Sequence, residues 1–198
     1  MTARIKQKAQ ELFFKYGIKS ISLDDLAKRA GISKKTLYQH FADKQAIVHE
    51  LLDELLSSYE QAFKHCAAKA ANAVEEISMQ AEEVFPSLPD VSRLFFYDLR
   101  KYDAAGWNKV SSYLNQFLLP CFIATIERGM KEELYREELP VDLTAEIRMQ
   151  QINTIFDSTE FSTRKLHTIQ LMKDLTQFYL HAITTTKGKT VIRKYSIQ

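Results

Sequence analysis

Glycine and proline are scarce in this chain, five and four among 198 residues. That scarcity excludes collagen-like and loop-dominated architectures and favours long helices. Only two cysteines are present, Cys66 and Cys121, with no CxxC pair, so neither a disulfide framework nor a cysteine-based zinc site is supported. Both are expected as reduced, small apolar side chains. The five histidines, His40, His49, His65, His167 and His181, form no HExxH or paired-ligand spacing. The neighbours His65 and Cys66 would diverge on a helix rather than share an ion. Gly-rich phosphate loops and nucleophile elbows are also missing, so no metal site, no cofactor and no enzymatic activity are expected. Asp98, near Arg100 and Tyr102, is read as one partner of a surface or core salt bridge rather than as an acid–base group. The most apolar stretch, residues 117–126, is too short to span a bilayer and contains Pro120. The sequence opens on a charged amphipathic pattern rather than a signal peptide, so a cytoplasmic location is expected.

What remains is an ordinary globular composition, 45% hydrophobic and 26% charged, with a net charge of only +2. That charge is unevenly spread. Residues 1–50 hold ten Lys/Arg against five Asp/Glu, and residues 51–198 hold seventeen against twenty. A basic end on a slightly acidic body suits a nucleic-acid-binding module joined to a second domain.

The basic end contains two short helical patterns around a tight turn. Ser22 precedes an apolar set at Leu23, Leu26, Ala27 and Ala30, and Asp25 stands where a capping-box acid belongs. Gly31 supplies the left-handed residue that ends the first helix. Ser33 caps the second, with Ile32 and Leu37 spaced as a hydrophobic staple. This is a helix-turn-helix pattern.

The second helix has few apolar residues. At about 100° per residue, Leu37 and Phe41 share one face, while Lys35, Thr36 and Gln39 lie opposite, flanked by Tyr38 and His40 with Lys34 at the start. No acid occurs from Lys34 to Phe41. Such a face suits a major groove: Lys reaches guanine acceptors, Gln pairs with adenine, and the Thr methyl meets thymine methyls. Tyr38 and His40 are better placed for phosphate oxygens. Asp43 begins the next helix, and Lys44 in its first turn is placed as a phosphate clamp.

The run from Ser22 to Leu51, with Leu26-Ala27, Ala30-Gly31-Ile32-Ser33, Thr36-Leu37-Tyr38, His40-Phe41 and Lys44, closely resembles the DNA-binding domain of tetracycline-repressor (TetR/AcrR-like) regulators. A preceding helix ending in Leu12-Phe13 and then Gly17 fits the same pattern. The resemblance implies an all-α homodimer, a ligand-binding C-terminal domain and control of transcription. Carried over residue by residue, it assigns DNA contact to Lys34, Lys35, Thr36, Tyr38, Gln39, His40 and Lys44, and the capping residues Ser22 and Ser33 complete the candidate DNA-binding set. Lys34 and Lys35 stand where members vary, so no base preference transfers.

The expected fold is therefore all-α with about nine helices: a helix-turn-helix domain over 1–46 and a ligand-binding and dimerisation domain over 47–198. The first helix is expected over 2–16, and the fourth from 43 to about 66 as a connector touching both domains. Helix is expected to continue over 67–84 until Pro86 and Pro89 break it. Further helices are expected over 91–102, from Gly106-Trp107 to about 131 with either a kink or an irregular turn at Pro120, from a cap at Asp142 through Phe156, and over 166–185. Residues 158–163 read as a loop and 187–198 as a loose polar tail.

Of 22 aromatics, sixteen follow residue 60. Aromatics at helical spacing are mostly plain core, but a regulator needs an effector, and Phe95, Tyr113, Phe117, Cys121, Gln151 and Phe156 are the candidate pocket residues. Leu143, Ile147, Leu175, Phe178, Tyr179, Ala182 and Ile183 form the candidate dimer interface, because the last long helix carries more apolar surface than one neighbour covers. Two functions stay open on the residues. One is a dimeric repressor released from a palindromic double-stranded DNA operator by a small apolar or aromatic effector. The other is a DNA-binding regulator without a small ligand, whose C-terminal domain serves dimerisation or protein interaction.

Overall fold

The computed structural model describes residues 1–84, 91–157 and 168–195. Eleven α-helices occupy the described residues: α1 (Thr2–Tyr16), α2 (Leu23–Ala30), α3 (Lys34–His40), α4 (Lys44–Lys69), α5 (Ala73–Met79), α6 (Arg93–Tyr102), α7 (Ala104–Tyr113), α8 (Leu119–Lys131), α9 (Val141–Asp157), α10 (Thr168–Ile183) and α11 (Thr186–Tyr195). π-helical turns follow α5 at Gln80–Val84 and α7 at Leu114–Leu118. Among the described residues the extended pairing is limited to one antiparallel bridge, Tyr135 with Thr184. No helix among them is long and apolar enough to cross a membrane. The chain divides into two compact units, residues 1–58 with 89–112, and residues 59–88 with 113–198. The boundary expected at residue 46 thus falls inside α4, and the first unit also takes in 89–112.

In the first unit α1 buries Ile5, Ala9, Leu12, Phe13 and Phe14, a stripe at helical spacing. Phe14 meets the ring of Phe95 edge-on at 4.9 Å, and the N–H of Ser92 donates to the Phe14 carbonyl at 2.7 Å. Asp98 is nearly buried, but it is not the salt-bridge partner expected from sequence. Its Oδ2 accepts the backbone N–H of Lys19 at 2.7 Å, tying α6 to the connector after α1. A backbone donor replaces the expected cation because Gly17 has no side chain and lets the carboxylate come close: a Cβ there would lie 2.9 Å from Asp98 Oδ2. α7 starts before the expected Gly106, because Asp103 Oδ1 accepts the Gly106 N–H at 3.0 Å and caps the helix. His49 Nε2 lies 2.8 Å from the other oxygen of Asp103.

In the second unit the expected continuous helix to residue 84 is interrupted. α4 ends at Lys69, and the Asn72 side chain restarts the chain by accepting the N–H of Glu75 at 2.9 Å. The break expected at Pro86 and Pro89 lies outside the described residues. Pro120 does produce an irregular turn: Leu119 N–H reaches back to Leu114 O, five residues away, ahead of the residue that has no N–H to give. α9 begins at Val141, with Asp142 inside its first turn rather than capping it. The expected loop 158–163 and Leu166 lie outside the described residues.

The core of this unit gathers Phe63, Phe122, Ile126, Met149, Ile152 and Met172, with a second cluster around Val74, Ile77, Tyr135, Leu180, Ile183 and Ile192. The tail expected to be loose is helical instead as far as Tyr195, the last described residue. Thr185 Oγ1 accepts the N–H of Gly188 at 3.1 Å, and Gly188 passes so near the Leu134 carbonyl that a Cβ would lie 2.2 Å from its oxygen. Ile192 is thereby fully buried. Val191 and Ile192 carried the apolar face, which the surrounding lysines and arginine obscured in the sequence. Ile192→Ala should lower the unfolding free energy in urea by roughly 2–5 kcal/mol. A loose tail would leave it unchanged.

Candidate functional site

The helix-turn-helix is built by its caps. Ser22 Oγ accepts the N–H of Asp25 at 3.1 Å, while Asp25 Oδ2 accepts the Ser22 N–H at 3.1 Å, a complete capping box. Gly31 adopts φ 63°, ψ 39°, the left-handed conformation the turn requires. Ser33 Oγ accepts the Thr36 N–H at 3.0 Å and starts α3. Leu26, Ala27 and Ala30 are buried on α2, and Leu37 alone is buried on α3. The opposite face of α3 is open, as its pattern indicated.

The nine candidate DNA residues fall into distinct states. Lys35, Tyr38 and Gln39 are exposed, and Lys35 and Gln39 make no hydrogen bond or ion pair among the described residues. Thr36 is half-buried, its hydroxyl 2.8 Å from Ser33 Oγ. Lys34 is engaged by Asp24 at 2.8 Å, and the hydrogen bond to that carboxylate raises its pKa. His40 Nδ1 lies 2.9 Å from Thr2 Oγ1. Ser22 and Ser33 are occupied as caps. Lys44 follows Asp43, whose Oδ1 accepts the Ala46 N–H at 2.7 Å. Its ammonium is half-buried over the ring of Phe13 at 5.9 Å, and burial pushes its pKa down. Free polar side chains therefore project from one face of α3, with held cations at its rim.

The candidate pocket residues do not all come together. Phe95 is fully buried in the first unit against Phe14 and Phe96. Tyr113, Phe117 and Cys121 lie in the second unit along the π turn and the start of α8, with the rings of Tyr113 and Phe117 5.3 Å apart. The Tyr113 hydroxyl is buried and finds no partner among the described residues; burial pushes its pKa well up, and raises that of the Cys121 thiol. Gln151 Oε1 accepts Arg148 Nη1 at 3.3 Å. The side chain of Phe156 lies outside the described residues. The candidate interface also divides. Leu143, Ile147, Phe178 and Ala182 are exposed and Leu175 is half-buried, whereas Tyr179 and Ile183 are buried within their own chain. Tyr179 and Ile183 point inward to the cluster around Leu180, so they are core rather than free surface.

Sequence reading missed Arg148. The buried face of α9 is Thr144, Ala145, Arg148, Met149 and Ile152, not the face through Leu143 and Ile147. The signal was there: position 148 falls within the stripe of Ala145, Met149 and Ile152. Arg148 Nη2 donates to Thr176 Oγ1 at 2.7 Å, its guanidinium sits 5.3 Å from the Tyr179 ring centre, and its Nε is buried without a partner among the described residues. Burial lowers its pKa to about 10, which leaves it cationic at neutral pH. A neutral hydrogen bond contributes about 1 kcal/mol and a cation–π contact about 0.5–2 kcal/mol. Against these stands the desolvation of a full charge, several-fold larger than either.

Capped helices, a left-handed glycine turn and one polar, acid-free face define a helix-turn-helix DNA-binding module. Residues 5–51 match the model of the bacterial regulatory proteins of the tetR family. The HTH-type transcriptional regulator EthR of Mycobacterium tuberculosis is 37% identical over 68 residues, 34% of this chain. That stretch spans about a third, 32%, of the relative's own length. The HTH-type transcriptional repressor KstR2 of Rhodococcus jostii is 25% identical over 138 residues, 68% of each chain. A TetR-family regulator from Agrobacterium tumefaciens shares the fold, with a TM-score of 0.75 and 19% identity over 93% of this chain and 97% of that one. Residues 5–51 thus carry the DNA-binding domain found in bacterial regulators of the tetR family.

The capping box has a pH signature. Hydrogen bonds from the Ser22 hydroxyl and N–H hold the Asp25 carboxyl below its ordinary pKa. A depressed carboxyl stabilises the fold above its unfolded pKa and loses that contribution as pH falls through the folded value. Asp25→Asn should melt below the wild type at neutral pH, and the gap should close in strong acid. A gap independent of pH in thermal melts would assign it to packing instead.

Proposed function

We propose that the protein is a dimeric repressor that binds a palindromic DNA operator in the cytoplasm and is released by a small apolar or aromatic ligand taken up in the second unit. The observation that carries this reading is the face of α3, where Lys35, Tyr38 and Gln39 are exposed and no acid interrupts the helix. Gln39 and Lys35 read base edges, and Lys44 supplies a phosphate contact that positions the module. Lys34 and His40 reach DNA by exchanging Asp24 and Thr2 for phosphate or base, so their present partners hold them in place until then.

One recognition helix buries too little surface for firm specificity, and a two-fold dimer supplies two at successive major-groove faces. Support for the dimer comes from Leu143, Ile147 and Phe178, which are 54%, 48% and 72% exposed on two helices that pack against one another. Apolar side chains of this size on adjoining helices suit a helical bundle across a two-fold axis. Support for a ligand is the unpartnered Tyr113 hydroxyl beside Phe117 in an otherwise apolar cluster. The helix α4, whose residues serve both units, is the element through which binding in one reaches the other. Coupling of this kind is reciprocal: a ligand that weakens DNA binding tenfold is itself bound tenfold more weakly by the DNA complex, about 1.4 kcal/mol.

The test begins with selection of bound fragments from genomic DNA. On the selected sites, Gln39→Ala or Lys35→Ala should cost about 1–3 kcal/mol at particular base pairs and relax preference there. Lys44→Ala should weaken all sequences alike and flatten the salt dependence by about one contact per half-site. The opposite assignment of effects would overturn the reading of the helix faces. Paired Ile147→Asp and Phe178→Asp substitutions should give a folded monomer in sedimentation that no longer binds the operator. An unchanged dimer would place the interface elsewhere.

A further inference from the structure

The second unit balances its other buried charge. Glu76 is 4% exposed and is met by Thr125 Oγ1 at 2.7 Å and Arg128 Nη1 at 3.2 Å. Arg128 also meets Glu132, through Nε at 2.7 Å. Arg148 is more deeply buried than any of these, at 1% exposure, and no carboxylate pairs with it among the described residues. Its donors meet only a hydroxyl and an amide oxygen, and Nε meets nothing. The nearby tyrosines supply no charge. Burial pushes the phenols of Tyr135 and Tyr179 up, and their hydroxyls donate to the carbonyls of Ala73 at 2.8 Å and Thr144 at 3.4 Å.

We propose that Arg148 is the anchor for a carboxylate, so that the ligand of the second unit is an organic acid with an apolar body. The inference rests on the ligand-responsive reading above and narrows it. The guanidinium fork matches the planar geometry of a carboxylate, and an incoming anion supplies the charge the fold withholds. A single guanidinium, with no second cation against it among the described residues, fits a monoanion rather than a phosphate dianion. The apolar body finds its surroundings on the same helix, where Ala145, Met149 and Ile152 share the buried face and belong to the larger core cluster. Gln151, which already accepts from Nη1, flanks the head group.

The test uses the full chain and matched probes: decanoate, cinnamate and cholanate, each against its own primary amide, by calorimetry and thermal shift. Wild type should bind at least one acid more tightly than its amide by about tenfold or more. Arg148→Met should abolish that preference, and without ligand it should stay helical by circular dichroism and melt no lower than wild type, because an unpaired buried charge is gone. Arg148→Lys keeps the charge without the fork, and should weaken acid binding while leaving amide binding unchanged. Equal binding of acids and amides to wild type overturns the proposal, as does an acid preference that survives in Arg148→Met. If amides bind and release DNA while acids gain nothing, only the role of Arg148 fails. If no probe of either kind binds, the proposal fails and so does the apolar-ligand reading for all three body shapes.

Discussion

Leu37 is the one fully buried side chain of the seven-residue helix α3, and the presentation of its polar outer face depends on it. A helix this short is not stable by propensity, because nucleation costs more than two turns return. Its orientation is set from outside: Ser33 closes the first turn, Gly31 aims the chain, and Leu37 is buried where α3 packs against α2, whose own buried residues are Leu26, Ala27 and Ala30. Burying one Leu contributes about 1.5–3 kcal/mol, enough to fix the helix's rotation when the caps fix its start. Every other residue of α3 is then free to be chosen for what it touches. The freedom of Lys35 and Gln39 is a consequence of how little of α3 the fold uses.

That division of labour explains why this region was legible in the sequence. Caps and left-handed turns demand particular residue types at particular spacings, so Ser22, Asp25, Gly31, Ser33 and Asp43 could be read individually, and the structure places each as expected. The second unit gave less away. Its helices are packed on more than one side, so apolar residues occur around most of the circumference and the wheel does not single out one face. Leu143 and Ile147, named as candidate interface residues, are exposed, and the buried face of α9 runs instead through Arg148, a residue type that patterning assigns to solvent. Tyr179 and Ile183 erred the other way. They share a helix with exposed Phe178, and only packing with the cluster around Leu180 shows which side faces inward.

Two other misreadings came from a single polar side chain whose partner is the main chain. Asn72 ends an alanine-rich stretch that propensity alone would carry onward, because its side chain satisfies the N–H of Glu75 that a new helix start leaves open. Asp98 was read as an ionic partner and instead accepts a backbone N–H, which a carboxylate does as readily when a glycine lets it approach. In both cases the residue type was right for the role and the partner was the main chain, which no side-chain pattern displays.

Pro120 links local backbone chemistry to the region around Tyr113. A proline within a helix leaves a carbonyl one turn earlier without a donor, and its ring crowds that turn. The chain widens ahead of it, with Leu119 reaching back five residues to Leu114, and the turn Leu114–Leu118 becomes π-helical. Widening a turn costs hydrogen-bond geometry, and it persists only where the surrounding packing repays it. Here the widened turn carries Phe117 and follows directly on Tyr113, so the two rings tilt against one another while the hydroxyl stays buried and unpaired. The proline and the orphaned hydroxyl each cost stability by themselves. A solid core would have been easier to build with neither, and their placement on one stretch of helix is where this unit departs from the cheapest way of folding.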